Sequence, residues 1–153
     1  MEQGGMRLAR VFIASPFFDQ EQVERVKRLE KALSHNPYVA DIFSARFHQN
    51  KHLAFGSHEW RKATFQQDLK FLRRADAVAA IHDFTGKCTD SGTAFEIGYA
   101  FALQKPIILI KEKSGVPNLM LVEGLHAYLQ NVEDAASYDF LNMPSIPYEG
   151  PVV

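Results

Sequence analysis

From Asp90 to Lys105 the chain reads Asp-Ser-Gly-Thr-Ala-Phe-Glu-Ile-Gly-Tyr-Ala-Phe-Ala-Leu-Gln-Lys, and between the two ends the only charged residue is Glu96. Thr89, Asp90 and Ser91 are good helix N-caps, and residues 93–104 are enough for three helical turns. A helix so apolar on nearly every side is expected inside a core rather than along a surface. A lone carboxylate in its first turn is then out of place. Unpartnered and buried, it costs several kcal/mol or shifts its pKa, and a helix N-terminus offsets only about 0.3–1 kcal/mol of that. Glu96 is therefore either tied structurally to backbone amides or an arginine, or it has a chemical task.

The flanking segments set the fold class. Residues 8–14 form a short apolar run closed by Ser15-Pro16, a buried strand and its turn. Residues 19–35 space Val23, Val26, Leu29 and Leu33 as an amphipathic helix, which Asn36-Pro37 stops. A second strand is expected over 38–44 and a polar loop over 45–58. A helix over 58–74 follows, with Trp60, Phe65, Leu69 and Leu72 on one stripe. Asp68 falls within that stripe, a second charge on an apolar face. It is either marginal, paired with Arg61 or solvent, or it acts together with Glu96. Residues 75–82 are small and apolar, as buried parallel strands are, and residues 106–111 make the clearest strand of the chain. A short helix from Asn118, a strand over 125–129 and a helix over 132–140 complete the alternation. The expected architecture is α/β, a parallel sheet of about five strands flanked by helices with right-handed crossovers. Ligands of such sheets bind beyond the carboxyl ends of the strands. There the loops 15–18, 83–90 and 111–118 meet. Residues 1–153 form one domain by size, with 141–153 a proline-bearing tail that cannot fold alone.

Composition narrows the chemistry. Seventeen Lys and Arg against 18 Asp and Glu create no field for nucleic acid or anionic lipid. No apolar run is long enough to span a membrane, and residues 1–6 lack a basic-then-apolar signal pattern. The expectation is a soluble cytoplasmic protein. One cysteine, Cys88, precludes an internal disulfide, and nothing fixed beside it by sequence would activate it as a nucleophile. Neither phosphate-cradling glycine motif is present, and no ligand spacing suggests a metal. What remains is a set of carboxylates, Asp68, Asp90 and Glu96, amid aromatics and amides. A carboxylate can attack an anomeric carbon and form a sugar ester while a second carboxyl group assists the leaving group. That chemistry needs no metal or cofactor.

Phe12-Ile-Ala-Ser-Pro-Phe-Phe18, Gln67-Asp68-Leu69, Asp90-Ser-Gly-Thr-Ala-Phe-Glu-Ile-Gly-Tyr-Ala100 and Pro117-Asn-Leu-Met120 together resemble the nucleoside 2-deoxyribosyltransferases, in order and spacing over nearly the whole chain. Tyr148-Glu-Gly150 is similar to that family's closing segment. The resemblance implies a flavodoxin-like fold and a ping-pong exchange of nucleobases on 2′-deoxynucleosides through a covalent deoxyribosyl-Glu96 intermediate, as in nucleoside salvage. It makes Glu96 the nucleophile, Asp90 the group that hydrogen-bonds the base and assists its protonation, and Asp68 the holder of the sugar hydroxyls. It also implies Phe17 and Gln49 at the base, and Asn118 and Met120 at the 5′-hydroxyl, the last two supplied by a neighbouring subunit of a homo-oligomer. The C-terminus, here Val153, would reach a site as well.

Two positions depart from the family pattern. Phe12 stands where broad-specificity members carry a Tyr that hydrogen-bonds the nucleophile, which leaves the tuning of Glu96 to Tyr99 or Asp68. Val153 stands where an aromatic residue often closes the chain. Two other readings remain open: an N-glycoside hydrolase of 2′-deoxynucleoside 5′-monophosphates, and a nucleoside- or nucleotide-sensing domain without catalysis.

Overall fold

Five short strands, β1 (Ala9–Ala14), β2 (Val39–Ser44), β3 (Ala77–Ile81), and the later β6 (Ile107–Ile110) and β7 (Ala127–Leu129), pair in parallel in the order β2-β1-β3-β6-β7. The computed structural model describes residues 5–85 and 88–153. The remaining residues, including two of the loop expected over 83–90, lie outside that description. Between β3 and β6, β4 (Phe84–Thr85) and β5 (Cys88–Thr89) form a small antiparallel hairpin. It occupies what the sequence suggests is plain loop.

The helices are α1 (Gln20–Ser34), α2 (His58–Arg74), α3 (Ser91–Ala102) and α4 (Leu119–Gly124). Each of the first three begins where a side chain accepts an otherwise orphaned amide: Asp19 from Gln22, Ser57 from Trp60, Asp90 from Thr93. Alternation along the strands divides the core in two. Val11 and Ile13 of β1 pack with Val26, Leu29 and Leu33 of α1, whereas Phe12 and Ala14 face Leu72 of α2, Ile97 and Ala100 of α3, and Leu121 of α4. Both central strands, β3 and β6, are buried throughout, which is why they read as unbroken apolar runs.

Three expectations need correction. Helix α3 is not enclosed on all sides: Thr93, Ile97 and Ala100 are buried, while Phe95 and Phe101 look outward, Phe101 being 61% exposed. The sheet covers only one face of a helix, and among the described residues the other is met only in part, as where Phe65 touches Phe95. The apolar stripe of α2 is likewise open, with Leu72 its one buried residue and Phe65 exposed beside Phe95. Residues 132–140 do not form an α-helix. A 3-10 turn, Val132–Ala136, stops because the buried Asn36 amide donates to the carbonyls of Ala135 and Tyr138, both at 2.8 Å, and Tyr138 and Phe140 both turn into the core. Residues two apart cannot share one face of a helix.

The tail is strapped to the domain rather than loose. Ile146 bridges to Ala127, Tyr148 packs edge-on against Tyr128 at 4.9 Å, and the Val153 amide donates to Pro117 O at 3.1 Å.

Candidate active site

The chain leaves β1 for β2 on one side and returns to β3 on the other, so a crevice opens beyond the carboxyl end of β1, at the switch point of the sheet. A cavity of about 640 Å³ lies there, and Phe17, Gln49, Asp68, Asp90 and Glu96 all line it. Five of the nine residues singled out from sequence are thus brought to one place.

Each is held by a different local device. Asp90 Oδ2 accepts from both Thr93 N and Thr93 Oγ1, each at 2.8 Å, and the Asp90 amide donates to Asp83 O at 3.0 Å. The residue that caps α3 is thereby fixed at the mouth of the helix, six residues before Glu96. Asp68 comes from the middle of α2. Its Oδ1 is buried and has no hydrogen-bond partner among the described residues, so the ion pair with Arg61 considered from sequence is not what holds it. Burial raises its pKa to about 6. Glu96 as a whole residue is half-buried, yet its carboxyl group is sheltered enough that burial is the largest influence on it. Burial, then the charges of Asp68 and Asp90, push it well above the ordinary carboxylate range.

The base of the crevice is stiffened by aromatics. Phe12 is 1% exposed and stacks on Phe43 at 5.2 Å; Phe43 stacks in turn on Phe71 and on His48. This column supports the segment that presents Gln49. Phe12 does not line the carboxylate cavity. The Gln49 amide is oriented by donation of Nε2 to Arg46 O at 2.7 Å, which leaves its side-chain carbonyl without a donor among the described residues. Trp60 Nε1 donates to Gln49 O at 2.9 Å. Tyr99, the other candidate for tuning Glu96, accepts instead from Arg73 Nη1 at 3.1 Å. Of these two candidates it is Asp68 that acts on Glu96, after burial and together with Asp90.

The structure does not bring Asn118, Met120 and Val153 to this cavity. Asn118 and Met120 line a separate, largely apolar groove of about 570 Å³ between α3 and α4, together with Ile97 and Phe101. Asn118 Oδ1 caps α4 by accepting from Met120 N at 2.9 Å, and Met120 is 73% exposed. Val153 lies next to them, its carbonyl accepting from Leu119 N at 2.8 Å.

The cavity has walls that sequence reasoning missed. Phe18, Phe55 and Trp60 line it, with Phe55 and Trp60 in contact at 4.6 Å between ring centroids. Trp60 belongs by spacing to the apolar stripe of α2, and Phe55 sits in a loop polar enough to look merely solvated; an aromatic residue in such a loop was the available signal. Lys27 and Arg46 also line the cavity, paired with Glu24 and Glu30. Among the described residues no cluster of His, Cys, Asp or Glu side chains is arranged to hold a metal ion, and no helix is long and apolar enough to cross a membrane.

A sheet of this order with a carboxylate-lined crevice at its switch point is the frame of a flavodoxin-like α/β enzyme. The chain belongs to the nucleoside 2-deoxyribosyltransferase family, whose model matches residues 11–131. It is 32% identical over 144 residues to the nucleoside deoxyribosyltransferase of Limosilactobacillus fermentum, an alignment spanning 86% of this chain and 84% of that protein. The structure superposes on the 2-deoxyribosyltransferase of Bacillus psychrosaccharolyticus with a TM-score of 0.84 and 36% identity, covering 92% of this chain and all of the other. A CMP N-glycosidase of Clostridium botulinum shares the fold, with a TM-score of 0.55 and 20% identity over 83% of this chain and 95% of that one.

Proposed function

We propose that the protein exchanges nucleobases on 2′-deoxynucleosides by double displacement through Glu96, in nucleoside salvage in the cytoplasm. The observation that carries this reading is the meeting of Asp68, Asp90 and Glu96 in one aromatic-walled cavity. In the first step the Glu96 carboxylate attacks C1′ of the nucleoside. The C1′–N bond breaks, its electron pair leaves with the base, and a C1′–O ester forms. Asp90 hydrogen-bonds the departing base and assists its protonation, and Asp68 accepts hydrogen bonds from the sugar hydroxyls. An incoming base then reverses the step.

The crowding of charge favours the reaction. With the cavity empty, Asp68 and Asp90 raise the cost of a third negative charge on Glu96. Esterification removes that charge, so a penalty present in the ground state is relieved as the bond forms. Phe17, Phe18, Phe55 and Trp60 supply faces for a planar base, and the fixed Gln49 carbonyl offers an acceptor to a base N–H.

The outward apolar face of α3 and α4 suits a second copy of the chain. In a homo-oligomer formed there, Asn118 and Met120 serve the neighbour's cavity at the 5′-hydroxyl, with Val153 beside them.

One observation favours a second reading. Lys27 and Arg46 line the cavity and are cations of the kind a 5′-phosphate would meet, as in a hydrolase of deoxynucleoside monophosphates. Both are already paired with glutamates, which weighs against it. Incubation with thymidine or thymidine 5′-monophosphate plus adenine separates the two. New deoxyadenosine from thymidine supports the transferase. Free deoxyribose 5-phosphate without exchange supports the hydrolase, and no product from either substrate leaves a sensing domain.

A further inference from the structure

We infer that Arg25 is a positioning residue for the reaction, acting through Asp83 to fix Asp90. Arg25 lies in the second turn of α1 and does not line the carboxylate cavity. From sequence its helix is an ordinary amphipathic one, with Glu21 and Arg25 four residues apart. Arg25 is nevertheless buried, and its partner Asp83, just beyond β3, is 1% exposed. Arg25 Nη1 donates to Asp83 Oδ2, and Nη2 donates to Glu21.

Asp83 uses its remaining acceptors on the segment that carries Asp90. Oδ1 accepts from Phe84 N at 2.7 Å, and the main-chain carbonyl accepts from Asp90 N at 3.0 Å. Asp83 thus holds both ends of the β4–β5 hairpin, and Arg25 holds Asp83 to α1. A second active-edge loop joins the same node. Arg25 Nε lies 3.5 Å from Glu112, which also accepts from Val132 N at 3.0 Å and pairs with Arg28 at 2.7 Å. Lys113 Nζ lies 3.4 Å from Asp83 Oδ1. The hairpin and this loop also touch directly: a Cβ built on Gly115, whose φ is +128°, would stand 2.7 Å from the Phe84 ring. The loop after β6 and the hairpin after β3 are fastened as one piece.

A buried arginine–carboxylate pair is weak evidence for stability, because desolvation cancels much of its attraction. What the pair supplies here is location. Asp90 is fixed on its helix side by Thr93 and on its strand side by Asp83, and only the second tie depends on Arg25. A shift of about 1 Å in a group that meets the reacting atoms can cost roughly a hundredfold in rate.

The inference rests on the reading of Asp90 as the group that assists the base, and a double-mutant cycle keeps the two apart. Arg25→Gln is expected to lower kcat about ten- to hundredfold with far less change in the KM for nucleoside. In an Asp90→Asn background the same substitution is expected to cost nothing further. Losses that simply multiply, or a lower melting temperature with kcat unchanged per folded enzyme, would overturn it. If Asp90→Asn alone keeps full turnover, the reading of Asp90 fails and the inference with it. Should Arg25→Gln not fold, Asp83→Asn breaks the same charge pair while retaining an acceptor for Phe84 N, and is read against Asp90→Asn by the same criteria.

Discussion

Asp68 on α2 and Glu96 on α3 face one cavity, and the charge of Asp68 raises the pKa of Glu96, whereas Asp68 itself is raised to about 6 by burial alone. Burial is the largest influence on both carboxyl groups, and at Glu96 the charges of Asp68 and Asp90 add to it.

That coupling sets the pH dependence of turnover. Glu96 must be ionised to attack, so kcat/KM rises with pH through the elevated Glu96 pKa. Asp68→Asn removes one of the two charges that oppose ionisation of Glu96. The variant is expected to be slower, with the acid limb of its pH–rate profile moved to lower pH. A limb that stays in place contradicts the coupling.

The same residue predicts a stability effect of opposite sign to its effect on rate. The Asp68 pKa is raised in the folded protein from 3.8 to about 6. The folded state therefore binds its proton more tightly than the unfolded chain, and stability is lost as pH rises between those values. Asp68→Asn carries no such deficit. Its melting temperature should match wild type below about pH 4 and exceed it above pH 6, followed by circular dichroism. A variant less stable than wild type at neutral pH would show that Asp68 has a partner that compensates its burial.

Much of this was legible in the sequence because its signals are local. The bounds of α2, His58–Arg74, follow from the extent of its apolar spacing. Strands β3 and β6 follow from being buried on both faces. Asp68 and Glu96 stood out because a charge on an apolar face needs a reason. What was not legible depends on contacts distant in sequence. Asn36 ends the turn at Val132–Ala136 from 99 residues away, and Arg25 reaches Asp83 across 58. Phe12 could be placed on β1 but not known to stack under Phe43. The outward faces of α2 and α3 look like core in sequence, because an apolar surface has the same composition whether its own chain or another copy covers it.

Trp60 is the one tryptophan of the chain, and it lines the cavity opposite no other indole. A base stacking there should quench its fluorescence in a saturable way even in Glu96→Ala, which cannot turn over. Phe55→Ala should raise the KM for the acceptor base severalfold while changing kcat little, since an exposed aromatic face is worth about 0.5–1.5 kcal/mol. Unchanged fluorescence at saturating base would remove Trp60 from the base site.

The exposed Phe101 and the groove holding Asn118 and Met120 predict shared sites. Phe101→Asp should shift the protein toward monomer in sedimentation and lose activity in proportion. Mixed and reassembled, Glu96→Ala and Asn118→Ala chains should recover activity that neither has alone, because some cavities then receive both native residues. No recovery from a mixture proven to exchange subunits would mean that each chain builds its site unaided.

The central claim is the bond to Glu96. Wild-type protein incubated with a 2′-deoxynucleoside and no acceptor base, then quenched in acid and digested, should yield a peptide containing Glu96 heavier by one deoxyribosyl group. Adding base before the quench should discharge it, and Glu96→Ala should never form it. Full exchange activity in Glu96→Ala, or a deoxyribosyl group on any other residue, would contradict the account.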